Sequence, residues 1–322
     1  MKNRLCFLLL LAALVHTMPA LAQYNWMPTG IPAAGSRYDD MVWQTPETGY
    51  VIDYSGFLRK TTNGGQTWQQ LPSPPGTAFR SIAFMTDQTG FIGKLSAANS
   101  TTLFRTQNAG QTWDPVLLPS VPMGQQGICG MAVVNEQVMY ACGRFNGPAY
   151  LYKTTNGGSN WTTINMGLYA GGLIDCYFWS PDSGLVVGHN GNPWDSGNAV
   201  ILFTPDGGQT WQNRHTTSRP GELCWKISFP SENTGFVSIY SSLGDSVFVL
   251  KTTDKGQNWQ ELFVTDTPYY AEGLGFLNDS VGWLGGGASN LVYQTTNGGQ
   301  SWTQRPVGSF LNRFRFFGDS LG

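Results

Sequence analysis

The sequence predicts an all-β fold, a seven-bladed β-propeller made of four-stranded antiparallel blades. Three observations predict it. A Trp-ending turn recurs six times, an apolar strand recurs seven times, and successive turns are 43 to 50 residues apart. Such a period is typical of repeat architectures, and four-stranded repeats are the blades of propellers, in which radial repetition protects the sheet edges.

The Trp-ending turn has the pattern Thr-x-(Asn/Asp)-x-Gly-x-(Thr/Ser/Asn)-Trp. In the first copy, residues 60–68, Asn63 can accept hydrogen bonds from the backbone N–H groups that follow it. The adjacent glycines permit the positive φ of a tight reversal, and Trp68 begins the returning strand. These structural positions are Asn63 and Trp68, Asn108 and Trp113, Asn156 and Trp161, Asp206 and Trp211, Asp254 and Trp259, and Asn297 and Trp302.

The second recurring feature is an apolar strand that ends in an aromatic residue, with a glycine six residues later. Its copies are Trp43 and Gly49, Phe84 and Gly90, Phe178 and Gly184, Phe229 and Gly235, Phe276 and Gly282, and Phe316 and Gly322, with Val133 and Met139 in the third repeat. A short strand follows each glycine, and a third strand leads into the Trp turn. Each repeat therefore predicts four short antiparallel strands.

The two ends of the chain are predicted to meet in the last blade. There are seven inner-strand signatures but only six Trp turns, and residues 24–28 resemble residues 67–71. We expect the N-terminal strand to close the ring by completing the blade that residues 313–317 begin. The chain stops at Gly322, inside the motif, so we expect a C-terminal truncation; a degenerate last blade is the alternative.

Residues 1–22 predict a secretory signal peptide. Lys2 and Arg4 precede an apolar run at residues 5–15, and Ala20-Leu21-Ala22 forms a small-residue cleavage pattern. An N-terminal membrane anchor is the alternative. Cleavage would leave residues 23–322 as one propeller domain, secreted to a periplasmic, cell-surface or extracellular location, with no later stretch apolar enough to span a membrane.

Composition and cysteine usage limit the kinds of binding site that the sequence predicts. Charged residues make up 12% of the chain and the formal net charge is −2, which excludes the basic footprint of a nucleic-acid binder. Cys129 and Cys142 flank a predicted hairpin, so a disulfide and two buried thiols both remain open. No Cys/His spacing indicates zinc, and we expect no metal and no cofactor.

The Trp turns resemble Asp-box repeats, also called bacterial neuraminidase repeats. With the spacing of the aromatic–glycine strands, residues 24–322 are most similar to the photosystem II assembly and stability factor family. That resemblance implies an exported seven-bladed propeller without catalytic chemistry that assists assembly of a membrane complex. Asp boxes also occur in sialidases, xyloglucan-active glucanases and sortilin-type receptors. Most turns here carry Asn where the family carries Asp, which indicates a structural role for this position.

Enzymatic alternatives depend on acidic and basic residues of the inner strands. A glycosidase needs two carboxyl groups about 5 to 9.5 Å apart, and the candidates are Asp39, Asp40, Asp175 and Glu272. A sialidase needs three convergent arginines. Arg80 is four residues before Phe84, whereas Arg313 is three before Phe316, so strand alternation predicts that they face opposite sides. We therefore expect no arginine triad.

The expected function is a non-catalytic scaffold for a protein or polysaccharide partner. The candidate binding residues are Arg80, Asp175, Lys226, Glu272, Arg313 and Arg315 at the channel mouth, and Trp194 in an inserted polar loop at residues 189–198. Two other classes stay open: a sialidase- or xyloglucanase-like glycoside hydrolase on the same fold, and an adhesion module of a longer cell-surface protein.

Overall fold

A computed structural model of the chain describes residues 26–95, 101–122, 124–244, 246–287, 290–308 and 311–317. The predicted signal peptide at residues 1–22 lies outside these ranges, as do Tyr24, Asn25 and Gly322. The described residues form six antiparallel sheets of four strands each. No helix within them is long and apolar enough to cross a membrane.

Each sheet is one propeller blade built from four consecutive strands. Blade one contains β1 (Tyr38–Trp43), β2 (Gly49–Asp53), β3 (Leu58–Thr61) and β4 (Gln69–Leu71). Blade two contains β5 (Phe79–Phe84), β6 (Gly90–Lys94), β7 (Leu103–Thr106) and β8 (Asp114–Pro115). Blade three contains β9 (Gly130–Val133), β10 (Met139–Gly143), β11 (Tyr150–Thr154) and β12 (Thr162–Asn165).

The other three blades repeat this order. Blade four contains β13 (Gly172–Phe178), β14 (Gly184–His189), β15 (Ala199–Thr204) and β16 (Gln212–Thr216), with a short 3-10 helix (Trp194–Ser196) between β14 and β15. Blade five contains β17 (Glu222–Ser228), β18 (Gly235–Ser241), β19 (Val247–Thr252) and β20 (Gln260–Thr265). Blade six contains β21 (Ala271–Phe276), β22 (Gly282–Gly286), β23 (Leu291–Thr295) and β24 (Thr303–Pro306).

The predicted seventh blade is wrong, because the described residues form six blades. Residues 311–316, which carry the seventh inner-strand signature, have no regular strand. They lie between β21 and β1: a Cβ on Gly273 would meet the Leu311 carbonyl, and Asn312 donates a hydrogen bond to the Tyr38 carbonyl at 3.3 Å. A strand needs a hydrogen-bonded neighbour, and no hairpin partner for this segment is present in the described ranges.

The closing segment, residues 311–317, nevertheless joins the last blade to the first. Trp26 packs against Trp283 of blade six, with ring centroids 5.4 Å apart, and against Phe316 at 6.4 Å. The predicted meeting of the two chain ends is therefore seen as side-chain packing, without a fourth strand.

The spacing between the aromatic residue and the glycine follows from a cross-strand pair. Phe178 is opposite Gly184 in the ladder of β13 and β14, and a Cβ on Gly184 would lie 2.1 Å from the Phe178 ring. The ring therefore occupies the space of the missing side chain. In blade three, Val133 takes the place of the aromatic residue and Met139, opposite it, takes the place of the glycine. The larger side chain of this pair is therefore on the second strand of the blade.

The same aromatic residues hold neighbouring blades together. Phe178 stacks on Tyr140 of blade three with ring centroids 3.5 Å apart, and Phe276 stacks on Phe236 of blade five at the same distance. Stacked aromatic pairs add about 0.5 to 1.5 kcal/mol to the stabilisation from buried area. In blades two, four, five and six, the ring that covers the glycine therefore also stacks on a ring of the preceding blade.

Each Trp turn is closed by a threonine and its Asn or Asp. In the first turn the Gly65 N–H donates to Thr61 Oγ1 at 3.0 Å, and the Thr67 N–H donates to Asn63 Oδ1 at 3.0 Å. The other five turns have the same two kinds of hydrogen bond. Because these side chains satisfy backbone N–H groups, they are structural, as the sequence predicts.

All four cysteines in the described ranges are buried free thiols. Cys142 lies in β10 and Cys129 immediately precedes β9, and the Cys129 N–H donates to the Cys142 carbonyl at 2.7 Å. Of the two alternatives left open by the sequence, the structure shows two buried thiols and no disulfide.

We predict that Gly184→Ala lowers the free energy of unfolding by about 1 to 3 kcal/mol, because the new methyl group overlaps the Phe178 ring. The cost should shrink in a Phe178→Val background, in which the ring is absent. A double-mutant cycle by urea denaturation measures both values. Equal costs of Gly184→Ala in the two backgrounds would contradict this explanation.

Candidate functional site

In five of the six blades, the inner strand carries a β-bulge at nearly the same position. The pairing register shifts around Asp39 in β1, Arg80 in β5, Ile174 in β13 and Glu272 in β21, and around Trp225 and Lys226 in β17. A bulge inserts an unpaired residue and re-aims its side chain. Charged residues one position apart can therefore both point into the central channel.

The bulge corrects the prediction that Arg80 and Arg313 face opposite sides. Arg80 donates to Asp39 at 3.1 Å, and Arg313 contacts Asp40 at 2.7 Å. Asp39 and Asp40 are adjacent buried residues of β1. Strict alternation fails here because the register shifts between Tyr38 and Asp40.

Mostly charged side chains occupy two levels of the channel. The first level lies four residues before the closing aromatic residue of the repeat and includes Asp39, Arg80, Trp225 and Glu272. The second level lies one residue later and includes Asp40, Asp175, Lys226 and Arg313. In the second level Arg313 bridges Asp40 of blade one and Asp175 of blade four, at 2.7 and 3.2 Å. Blade four lies across the ring from blade one, so this arginine spans the channel.

The network sets the ionisation of its members. Burial opposes the charged form of Asp40, but Arg313, Arg315 and Lys226 outweigh it and hold the pKa of Asp40 below its usual value. Burial raises the pKa of Asp39 even though Arg80 favours its ionised form. The two adjacent carboxyl groups therefore shift in opposite directions.

Lys226 is the buried ammonium group of the network. Its side chain is almost completely buried, and the carboxylates of Asp175 and Asp40 favour its charged form. Burial, together with the neighbouring Arg313, lowers the pKa of Lys226 to about 8. The channel thus holds an ammonium group whose charged form is disfavoured in the folded state.

A cleft of about 400 Å³ opens at the end of the channel where the inner strands begin, which we call the front mouth. Its charged lining residues are Arg37, Arg80 and Glu272, and its rings come from Tyr54, Phe145, Trp194, Trp225 and Tyr240. Arg37 binds Glu272 at 3.0 Å and thereby joins blade six to blade one beside the closing segment. Three of the predicted binding residues, Arg80, Trp194 and Glu272, meet in this cleft.

A column of stacked groups forms one wall of the cleft. The Arg80 guanidinium lies 5.6 Å from the Trp225 ring centroid, Trp225 stacks on Tyr240 at 5.2 Å, and Tyr240 stacks on Tyr270 at 5.5 Å. Tyr270 is exposed. The column therefore runs from a buried cation near the axis to an aromatic face in solvent.

Two buried donors of this wall have no acceptor among the described residues. They are Arg80 Nε and Trp225 Nε1. Buried polar groups are nearly always hydrogen-bonded, so an unpaired donor needs an explanation. Both residues line the cleft.

The inserted loop of blade four delivers Trp194 to the cleft. The Trp194 ring lies 5.9 Å from Phe145 and 6.5 Å from Tyr240. His189 anchors the base of the loop, because its ring Nε2 bonds the Phe145 carbonyl and its Nδ1 accepts from the Gly191 N–H. Burial lowers the pKa of His189, so the residue is a neutral structural element at physiological pH.

The remaining predicted residues do not reach the front mouth. Asp175, Lys226 and Arg313 lie inside the channel, and Arg315 lies toward the opposite end, where its Nε donates to the Met41 carbonyl. The structure therefore does not bring all of the predicted binding residues together at one mouth of the channel. All four glycosidase candidates are paired with an arginine: Asp175 with Arg313, Glu272 with Arg37, Asp39 with Arg80 and Asp40 with Arg313. No group of three metal-binding side chains occurs in the described part of the chain.

Several residues that line the cleft were not predicted from the sequence. Trp225 occupies the same position before its aromatic residue as Arg80 and Glu272, so counting back along each repeat would have found it. Tyr54 and Tyr240 both follow the second-strand glycine by five residues. Phe145 has no such signal, because it lies in a loop of the repeat that lacks the glycine.

Sequence comparison relates the chain to photosystem II assembly factors. A family model described as Photosynthesis system II assembly factor YCF48 matches residues 18–162. The photosystem II stability/assembly factor HCF136 of Oryza sativa subsp. japonica is 23% identical over 86% of this chain and 73% of the relative. The photosystem II assembly lipoprotein Ycf48 of Synechococcus sp. (strain CC9902) is 31% identical over 46% of this chain and 40% of the relative.

Structural comparison supports the propeller fold. A structure of YCF48 bound to a D1 peptide superposes with a TM-score of 0.63 at 19% identity and covers 94% of each chain. The GH74 xyloglucanase of Xanthomonas campestris gives 0.61 at 14% identity, covering 88% of this chain and 47% of the enzyme. Because a binding protein and a hydrolase match almost equally, the fold alone does not identify the function.

We predict that Lys226→Met raises the unfolding free energy at pH 7. A lysine whose folded-state pKa is lowered destabilises the fold below that pKa, and the penalty disappears as pH rises to the unfolded value of about 10.4. Wild-type protein should therefore gain stability relative to the variant between pH 8 and about 10. Chemical denaturation at four pH values measures this difference, and a variant less stable than wild type at pH 7 would contradict it.

Proposed function

We propose that this chain belongs to the photosystem II assembly factor family and is an exported, non-catalytic scaffold that holds a segment of a client protein at the front mouth. The observation that carries the proposal is the cleft itself, in which a stacked aromatic wall adjoins two buried, unpartnered donors. The sequence similarity to assembly factors supports the same function.

An extended peptide suits the chemistry of this cleft. Peptide carbonyl or carboxylate oxygens can accept from Arg80 Nε and Trp225 Nε1, and peptide side chains can pack on the rings of Trp194 and Tyr240. The relative with 94% coverage was solved with a D1 peptide. By analogy, the client here is a segment of a membrane-complex subunit exposed on the side to which the chain is exported.

Export is part of the proposal. Residues 1–22 have the charged, apolar and small-residue regions of a signal peptide. Relatives are described as lipoproteins in Synechococcus and as chloroplastic in rice, which agrees with a protein that crosses a membrane. We further propose that the six Trp turns are Asp boxes, since each is closed by the same Thr–Asn or Thr–Asp hydrogen bond.

Glycoside hydrolysis is the weaker proposal. A glycosidase needs one carboxyl group that protonates the leaving group and another that attacks or activates water. Asp175 is buried and bound to Arg313, and Glu272 is bound to Arg37. Both carboxylates are therefore committed to ion pairs.

We predict that Tyr240→Ala and Trp194→Ala each weaken peptide binding about tenfold, because loss of one stacking ring costs about 1 to 1.5 kcal/mol. Fluorescence anisotropy with labelled peptides tiled across D1 measures the dissociation constants. Phe263→Ala is the matched control, because Phe263 is half exposed on the outer strand β20.

Unchanged affinity in both cleft variants would contradict the assignment of the front mouth. Failure of every D1 peptide to bind wild-type protein would contradict D1 as the client. Release of reducing sugar from xyloglucan by the wild-type chain would instead favour the hydrolase.

A further inference from the structure

We propose that the opposite end of the channel, the rear mouth, is a second binding site, which takes a small carboxylate carried on an aromatic ring. This site is independent of the peptide cleft. It is a pit of about 430 Å³ at the end of the inner strands of blades five and six, beside the closing segment. A pit of this size is within the range of small-molecule sites.

The walls of the pit are aromatic. Tyr177, Phe229, Phe276, Phe314 and Phe316 line it. Tyr177 and Phe229 stack on each other with centroids 4.7 Å apart. Rings fixed by such contacts present edges and faces to a planar apolar ligand at low entropic cost.

Among the described residues, Arg315 is the one charged side chain that lines the pit. Its Nε donates to the Met41 carbonyl at 3.2 Å, which fixes the side chain. Its nearest carboxylate contact is Nη2 to Asp40 Oδ1 at 3.6 Å, longer than a hydrogen bond, and the side chain is 38% exposed. The planar guanidinium therefore has donors to offer in the fork geometry that suits a carboxylate.

The charge behind the pit favours an anion. Across both levels of the channel, five described cations lie near four described carboxylates: the cations are Arg37, Arg80, Lys226, Arg313 and Arg315, and the carboxylates are Asp39, Asp40, Asp175 and Glu272. Arg313 already binds Asp40 and Asp175. Partial enclosure and the neighbouring Arg313 lower the pKa of Arg315 to about 10, so it remains protonated at neutral pH. The uncompensated positive charge thus lies where a ligand can reach it.

The aromatic walls and the positive charge of Arg315 together indicate the kind of ligand. A hydrated inorganic anion would leave the aromatic walls without a partner, and a neutral ring would leave the guanidinium without one. An aromatic carboxylate of about ten non-hydrogen atoms satisfies both, and a ligand of that size should bind with a dissociation constant of about 5 mM.

The test is a titration of the full chain with 3-phenylpropionate, followed by NMR chemical shifts of the arginine side chains and tryptophan indoles. We expect saturable binding, at least tenfold weaker binding of acetate and of 3-phenylpropanamide, and a decrease of affinity with salt. Arg315→Gln should lose at least tenfold in affinity. Arg305→Gln, on the exposed outer strand β24, should bind like wild type.

The Arg315→Lys variant is the control for a folding defect. It keeps a cation at the rear mouth, so it should retain more affinity than Arg315→Gln. Equal binding of the carboxylate and its amide would overturn the proposal. So would undiminished binding by Arg315→Gln, or no binding by wild-type protein at about 50 mM ligand, roughly ten times the expected dissociation constant. None of these outcomes depends on peptide binding at the front mouth.

Discussion

The ion pairs of Arg313 are the interaction on which the rest of the structure depends. One guanidinium, carried by a segment without regular strand structure, bridges a carboxylate of blade one and a carboxylate across the channel in blade four. Both carboxylates raise the pKa of Arg313 despite its burial. Charged pairs taken out of water are stabilising only if each partner is satisfied. Here the arginine connects the closing segment to blades one and four, and we expect these ion pairs to hold the ring closed.

Closure in turn determines what the two mouths can do. At the front, Arg37 and Glu272 join blades one and six, and the stacked column beside Arg80 can face a single cleft only if those blades stay together. At the rear, the closing segment supplies Arg315 and two of the aromatic walls. The bulges add to this arrangement, because they place consecutive residues of one strand at two depths in the channel. The front mouth and the rear mouth therefore differ from each other, although the inner strands of the blades are similar.

The repeat period and the aromatic–glycine spacing were sufficient to predict the blades, since β5 ends at Phe84 and β6 begins at Gly90. They were not sufficient for the number of blades. Residues 313–317 carry the signature of an inner strand, but a signature does not provide the hydrogen-bonded neighbour that a strand requires. Alternation failed for Arg80 because a bulge depends on local backbone pairing and not on residue type. The contact of Tyr240 with Tyr270 joins two blades, so only packing reveals it.

The most direct test of ring closure by Arg313 is the unfolding free energy of Arg313→Leu compared with that of a triple variant that also carries Asp40→Asn and Asp175→Asn. Removing one member of a buried ion-paired network leaves uncompensated charges and costs about 3 to 5 kcal/mol. We predict that loss for the single variant and recovery of most of it in the triple variant, measured by urea denaturation at pH 7. A single variant as stable as wild type, or a triple variant no better than the single one, would contradict closure by this residue.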